Sequence, residues 1–266
     1  MTGFMGRILG LDGIRAYAVI MVVVTHLHIF IEWHNDKSPL YSLVWGAIGV
    51  IIFFILSGFL ITHLLFLEYE KTGTVNLKQF IIRRGLRIFP AFYLFILILF
   101  TLGLSIETNT TPKQLFMAAI YWFNHTPRNE YNPILGHTWS LAVEEHFYII
   151  WPLIFMLLTK IKTRGLSISL ALIMMIYSLQ ILQNHLYAET DLNQTFRLDR
   201  WTSSAAIYLL SGCLGASFVH SKYWDRISNL QIVSIVLSAM FIVGFGVDFW
   251  FEGDFRVAKY WRIAGI

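Results

Sequence analysis

Residues 43–67 read LVWGAIGVIIFFILSGFLITHLLFL, without one Asp, Glu, Lys or Arg. A helix rises about 1.5 Å per residue, so about 20 apolar residues cross a hydrocarbon core of ~30 Å. The stretch is therefore read as a membrane-spanning helix, and it sets the pattern to seek elsewhere. Comparable runs are Ala16–Trp33, Ile88–Ile106, Trp139–Thr159, Leu166–Gln183, Ser204–His220 and Leu230–Phe251. Phe116–Phe123 is apolar but too short to cross, and is expected as an interfacial or re-entrant helix. The expected fold class is all-α: a polytopic transmembrane helix bundle of about seven spans, in a single transmembrane domain over residues 1–266.

Composition agrees. Charged residues make up 14% of the chain, hydrophobic ones 56%, and mean hydropathy is +0.61. Soluble domains carry about 25% charge, so this surface would be one apolar patch that water does not tolerate. An ordinary soluble enzyme, a disordered chain and a disulfide scaffold are all excluded. The lone cysteine, Cys213, has no intrachain partner, and no Cys/His cluster offers a metal site.

The net charge of +4 is modest, and the basic residues are sorted by loop. With the N-terminus inside, twelve of them fall in cytoplasmic segments, among them Arg7, Arg15, Lys78, Arg83, Arg84, Arg87 and Lys160. Five lie opposite: Lys37, Lys113, Arg128, Arg197 and Arg200. That asymmetry is a topology signal, so the N-terminus is expected in the cytoplasm and no nucleic-acid partner is expected. After Phe251 the chain turns polar and stops at Ile266 in a half-begun segment, which suggests a chain shortened at its C-terminal end.

Ionisable groups within spans default to functional hypotheses. Arg15 and His26 are eleven residues apart, about three turns and ~16 Å of rise, so they share a helix face. The bland reading is a snorkelling arginine and a carbonyl-bonded histidine. The functional one is an anion-binding arginine leading to a buried base. Arg84 and Arg87 are spaced i, i+3, and arginine forks grip phosphates, although basic anchors are common before spans.

In Trp139-Ser140-Leu141-Ala142-Val143-Glu144-Glu145-His146-Phe147-Tyr148 two carboxylates enter an apolar span, which packing alone explains poorly. Glu144 shares a face with Ser140 and Tyr148, whereas Glu145 projects about 100° away. Both acids are therefore not expected to point into the bundle together. Glu144 is expected as the functional member and Glu145 as a positioning or structural group that is near the outer surface, paired or protonated, with bridges to Arg128 or Lys113 as the structural alternative. Small residues such as Gly46, Gly49 and Gly58 suit close helix packing, and His63 has no evident partner.

Four ordered blocks resemble the acyltransferase-3 family of integral-membrane O-acyltransferases, which includes O-antigen and peptidoglycan O-acetylases. They are Leu11-Asp12-Gly13-Ile14-Arg15 with His26, Phe53-Phe54-Ile55-Leu56-Ser57-Gly58-Phe59, Arg84-x-x-Arg87-Ile88-x-Pro90-x-x-Tyr93, and Trp139-Ser140-Leu141-x-Val143-Glu144-Glu145-x-Phe147-Tyr148. The resemblance implies a bundle of about ten spans that takes an acyl group from cytoplasmic acyl-CoA. The implied acceptor is a hydroxyl of an extracytoplasmic, lipid-linked or cell-envelope glycan. By that resemblance His26 is the catalytic histidine, as base or acyl carrier, and Arg15 is its partner. Arg84 and Arg87, with Arg15, hold the donor, acetyl-CoA being the expected one.

Glu145, Ser140, Tyr148 and Ser57 are the expected substrate-binding residues. The expected setting is the bacterial inner membrane and its lipids. The chain departs from the family pattern at Ile51, Ala205 and Ile207, where many members carry polar residues. Two rival readings stay open: a transporter or channel with a His26/Glu144 relay, and an inactive, shortened family member.

Overall fold

The computed structural model describes residues 10–31, 46–105, 110–160, 195–196 and 200–220. Among these there are six α-helices: α1 (Leu11–Ile31), α2 (Gly46–Thr72), α3 (Leu77–Ser105), α4 (Pro112–Ala119), α5 (Thr138–Lys160) and α6 (Thr202–Val219). Two 3-10 turns, Phe123–His125 and Arg128–Glu130, follow α4. No strand forms among the described residues; one isolated bridge joins Pro127 and Phe196.

Four helical stretches are long and apolar enough to cross a membrane: Ile48–Thr72, Leu77–Gly103, Thr138–Thr159 and Thr202–Val219. Each falls on an expected span, and α1 covers most of another. The expected spans Leu166–Gln183 and Leu230–Phe251 lie outside the described residues. The all-helical, multi-span reading holds, with four spans counted among the described residues.

The chain divides into two compact units, Met1–Ser57 with Lys222–Ile266, and Gly58–Ser221, so that α2 contributes to both. In the first, α1 and the start of α2 pack through small residues. A Cβ added at Gly49 would lie 2.8 Å from the carbonyl oxygen of Ala18 and 3.0 Å from Cβ of Met21. Ala18 and Met21 are themselves buried. Thr25, beside Gly46, donates its hydroxyl to the Met21 carbonyl at 2.9 Å.

The second unit is built around α5. Trp151 is buried, and its Nε1–H donates to Thr62 Oγ1 at 2.8 Å. Thr62 in turn donates to the Gly58 carbonyl at 2.8 Å. Phe147 stacks on Trp151, with centroids 5.6 Å apart, and Phe155 meets Phe66 edge-on at 4.8 Å. A Cβ at Gly58 would run into the carbonyl of Leu209 on α6, so only glycine allows this approach.

By contrast, α3 exposes a broad apolar stripe that includes Leu86, Leu94, Leu97, Ile98 and Phe100. On a spanning helix this is the surface offered to lipid. Its other side holds a small core of Leu99, Leu115, Ala118, Phe123 and Leu135.

The short helix expected over Phe116–Phe123 begins earlier and ends earlier. Thr111 caps it: its Oγ1 accepts from the Gln114 N–H at 3.3 Å, and Gln114 Oε1 accepts from the Thr111 N–H at 2.9 Å. Pro112 occupies the first helical turn, where it loses no hydrogen bond. Tyr121 ends the segment with a φ of 57°, a left-handed conformation uncommon for a residue with a side chain. That turn re-aims the chain into the region beside α3 and α5.

Candidate active site

On α1, the Nδ1 of His26 lies 2.8 Å from the carbonyl oxygen of Val22, one turn earlier. A carbonyl only accepts, so Nδ1 carries the hydrogen and Nε2 carries the lone pair. The fold thus sets the tautomer of a half-buried imidazole with its basic nitrogen directed away from its own backbone. The Arg15 guanidinium lies 5.7 Å from the centre of the Phe53 ring. Arg15, Asp12, Ala16, Val19, Ile20 and Phe53 line an open groove of about 440 Å³. Ser57 is buried in α2.

In the second unit the expected acidic pair is found inside. Glu144 and Glu145 are 4% and 8% exposed. The expectation that only one would face inward is therefore corrected. α5 packs against α3 on one side and against α6 and the Phe123–His125 turn on others, so two directions about 100° apart both lead into protein.

Glu144 accepts a hydrogen bond from Tyr148 Oη at 2.9 Å, the contact expected from i, i+4 spacing. The Tyr148 ring carries the Arg84 guanidinium, whose Cζ is 3.9 Å from the ring centre. Glu145 lies in the electrostatic field of Arg84 and in turn acts on Tyr121. Burial first, and then the Glu145 charge, push the Tyr121 phenol above its usual range, so it stays an O–H donor.

Among the described residues, three buried atoms in this neighbourhood have no hydrogen-bond partner: Arg84 Nε, Glu145 Oε1 and Tyr121 Oη. Such groups are rare because each bears its desolvation uncompensated. Together they offer two donors and one acceptor.

The two arginines are divided by environment. Arg84 is half-buried over Tyr148, whereas Arg87 is exposed. Arg83, beside them, lies 3.5 Å from Glu68. Ser140 donates back to the His137 carbonyl at 3.0 Å. Lys113 pairs with Glu130 at 2.7 Å, and Arg128 Nε donates to the Phe196 carbonyl at 3.2 Å.

Sequence reasoning missed Tyr121, whose role depends on the backbone turn, and His146. The Nδ1 of His146 accepts from Thr202 Oγ1 at 2.7 Å, and the ring is also bonded to the Tyr121 backbone. His125 stacks on Trp122 at 4.3 Å and donates from Nδ1 to Asn124 Oδ1 at 2.9 Å. Burial, and next the neighbouring His146, lower the His125 pKa to about 4. Among the described residues no group of three His, Cys, Asp or Glu side chains could hold a metal ion.

Comparison with known proteins adds to this geometry. A family described as an acyltransferase domain matches residues 8–266. A "putative O-acetyltransferase" of Staphylococcus aureus (strain COL) is 36% identical over 204 residues, covering 68% of this chain and 32% of that protein. The O-acetyltransferase OatA of S. aureus (strain NCTC 8325 / PS 47) is 30% identical over 274 residues, 94% of this chain and 43% of the relative. The chain thus spans about a third of the length of the first curated relatives it matches. No solved structure matches.

Proposed function

The chain belongs to the acyltransferase domain family, and on that premise we propose that it is a membrane O-acyltransferase that moves an acyl group, acetyl in the expected case, from cytoplasmic acyl-CoA to a hydroxyl of an extracytoplasmic carbohydrate. Two matched relatives carry the name O-acetyltransferase. The observation that carries the chemistry is the His26 tautomer: the Val22 carbonyl takes the Nδ1 hydrogen, which puts the lone pair of the neutral ring on Nε2.

In this reading His26 Nε2 takes the proton of the acceptor hydroxyl as its oxygen attacks the thioester carbonyl. The O–C bond forms, the C–S bond breaks, and His26 returns the proton to the departing thiolate. General-base assistance of this kind contributes ~10²–10⁴ in rate. Arg15, at the opening of the same helix, supplies a fixed positive charge for an anionic part of the substrate.

The cationic start of α3 suits a nucleotide donor. Lys78, Arg83 and Arg87 are exposed there, and exposed arginines bind phosphates bidentately. On the inward side of the same stretch, Arg84 with Glu145 and Tyr121 offers two donors and one acceptor that suit a hydroxylated part of the same donor. Glu145, with a spare oxygen, is assigned the binding role, and Glu144, bonded to Tyr148, the positioning role. Substrate binding is the role already expected of Glu145, whereas Glu144 moves from functional member to positioning group. Ser140 and Ser57 keep supporting places, since one is bonded to the His137 carbonyl just before its helix and the other is buried.

The deciding experiment uses the full chain purified into lipid vesicles with radiolabelled acetyl-CoA and an added oligosaccharide. Label should pass to the oligosaccharide, or be released slowly as acetate without it, and His26→Ala should abolish both. A chain that binds no donor and consumes none would overturn the reading and favour a carrier.

A further inference from the structure

His63 and Glu70 lie seven residues apart on α2, about two turns and therefore on one face. The end of α6 meets this face with His220. The Nδ1 of His63 is 2.8 Å from Nε2 of His220, and the Nδ1 of His220 is 2.8 Å from Oε1 of Glu70. Aromatic rings fix both imidazoles: Phe66 stacks on His220 at 4.6 Å, and Phe59 stacks on His63 at 5.9 Å. The Glu70 side chain is 50% exposed. His63 is buried, and its Nε2 has no hydrogen-bond partner among the described residues.

Proton positions along this chain follow from its exposed end. A carboxylate only accepts, so His220 Nδ1 carries a hydrogen and donates it to Glu70. Neutral His220 then accepts at Nε2, so His63 Nδ1 is also a donor. That leaves the lone pair of neutral His63 on Nε2, inside the protein. A histidine kept only for packing would not leave this nitrogen desolvated and unbonded.

We propose that Glu70, His220 and His63 form a proton relay, with His63 Nε2 as a buried proton-accepting site and Glu70 as the outlet to solvent. A hydroxyl or thiol that reaches Nε2 gives up its proton: the N–H bond forms as the O–H or S–H bond breaks. The Nδ1 hydrogen of His63 passes to His220 Nε2, and that of His220 to the Glu70 carboxylate. One proton moves across two hydrogen bonds, and nothing is oxidised or reduced. The use of the relay rests on the acyl-transfer reading, as an outlet for the proton of the thiol product, since His26 already handles that of the acceptor hydroxyl; its proton arrangement does not.

The test is nitrogen-15 NMR of histidine-labelled full chain in lipid nanodiscs, with His63→Gln and His220→Gln to assign the signals. Both histidines should show the Nδ1–H tautomer. Glu70→Ala removes the terminal acceptor at an exposed position and should shift the His63 signals as well as those of His220, although Glu70 does not touch His63. His63 in the Nε2–H tautomer, or His63 signals unmoved by Glu70→Ala, would overturn the relay. The expected tautomers in a chain that transfers no acyl group would keep the relay and remove its assigned use.

Discussion

The Arg84 guanidinium lies 3.9 Å above the ring of Tyr148, so a cation on α3 rests on an aromatic residue of α5. The hydroxyl of the same tyrosine is committed to Glu144 at 2.9 Å. One side chain thus fixes a positive and a negative group together in a buried setting, where screening by solvent is weak.

Arg84→Lys separates charge from shape. Lysine keeps the positive charge but loses the planar group that stacks and binds bidentately. The apparent acyl-CoA requirement should rise several-fold while expression is unchanged, as donor titration of the purified variant would report. An unchanged titration would reduce Arg84 to a helix anchor.

Tyr148→Phe keeps the ring beneath Arg84 and removes only the donor to Glu144. A buried carboxylate deprived of one hydrogen bond should lower stability by about 1–3 kcal/mol, seen as an earlier thermal unfolding midpoint in detergent. Equal midpoints would mean that the bond contributes nothing net.

The acidic pair makes a sharper contrast. Glu145→Gln alters the group with an unpartnered oxygen and should remove most acyl transfer. Glu144→Gln leaves an amide oxygen to accept from Tyr148, and should be the milder change. Initial rates at saturating donor decide the order, and greater severity at Glu144 would restore the assignment made from helix faces.

The burial of both acids shows where the sequence was legible and where it was not. Hydropathy located α2, α3, α5 and α6 because crossing a membrane requires long apolar runs whatever surrounds them. Spacing alone put Glu144 and Tyr148 on one helix face, where the structure bonds them, since i, i+4 neighbours are internal to one helix. Burial of Glu145 was not foreseeable in the same way, because it depends on what packs around α5. Tyr121 enters the site through a left-handed turn that no local pattern announces, and His63 finds His220 across 157 positions of chain. The short helix was recognised, but its limits were set by the Thr111–Gln114 capping pair rather than by the apolar run.

The His125 imidazole gives the protein an acid-side weakness. Its folded pKa is lowered to about 4, against about 6.5 for an unfolded histidine. Above about pH 6.5 both states are neutral there and stability is unaffected. As pH falls from 6.5 towards 4 the unfolded state takes up the proton first, so stability declines; below about 4 the loss levels off. Thermal midpoints across this window should fall less steeply in His125→Gln than in the parent, and parallel curves would clear His125 of the effect.

Topology is tested in the exposed turn between α2 and α3. A cysteine at Thr74, in a Cys213→Ser background, should react with an impermeant reagent only after the inner face is opened. Labelling in intact cells would place this turn outside and reverse the proposed orientation.

Where Gly58 meets Leu209 there is no space for a methyl group. This gives the molecule a mechanical constraint: α2 beyond Gly58 and α6 cannot slide or roll past each other without first separating, because both surfaces at the contact are backbone. Gly215 differs, since a Cβ there would meet only the Phe59 ring at 3.5 Å. Among the described helices of this unit, any rearrangement during a reaction cycle must then leave that seam closed.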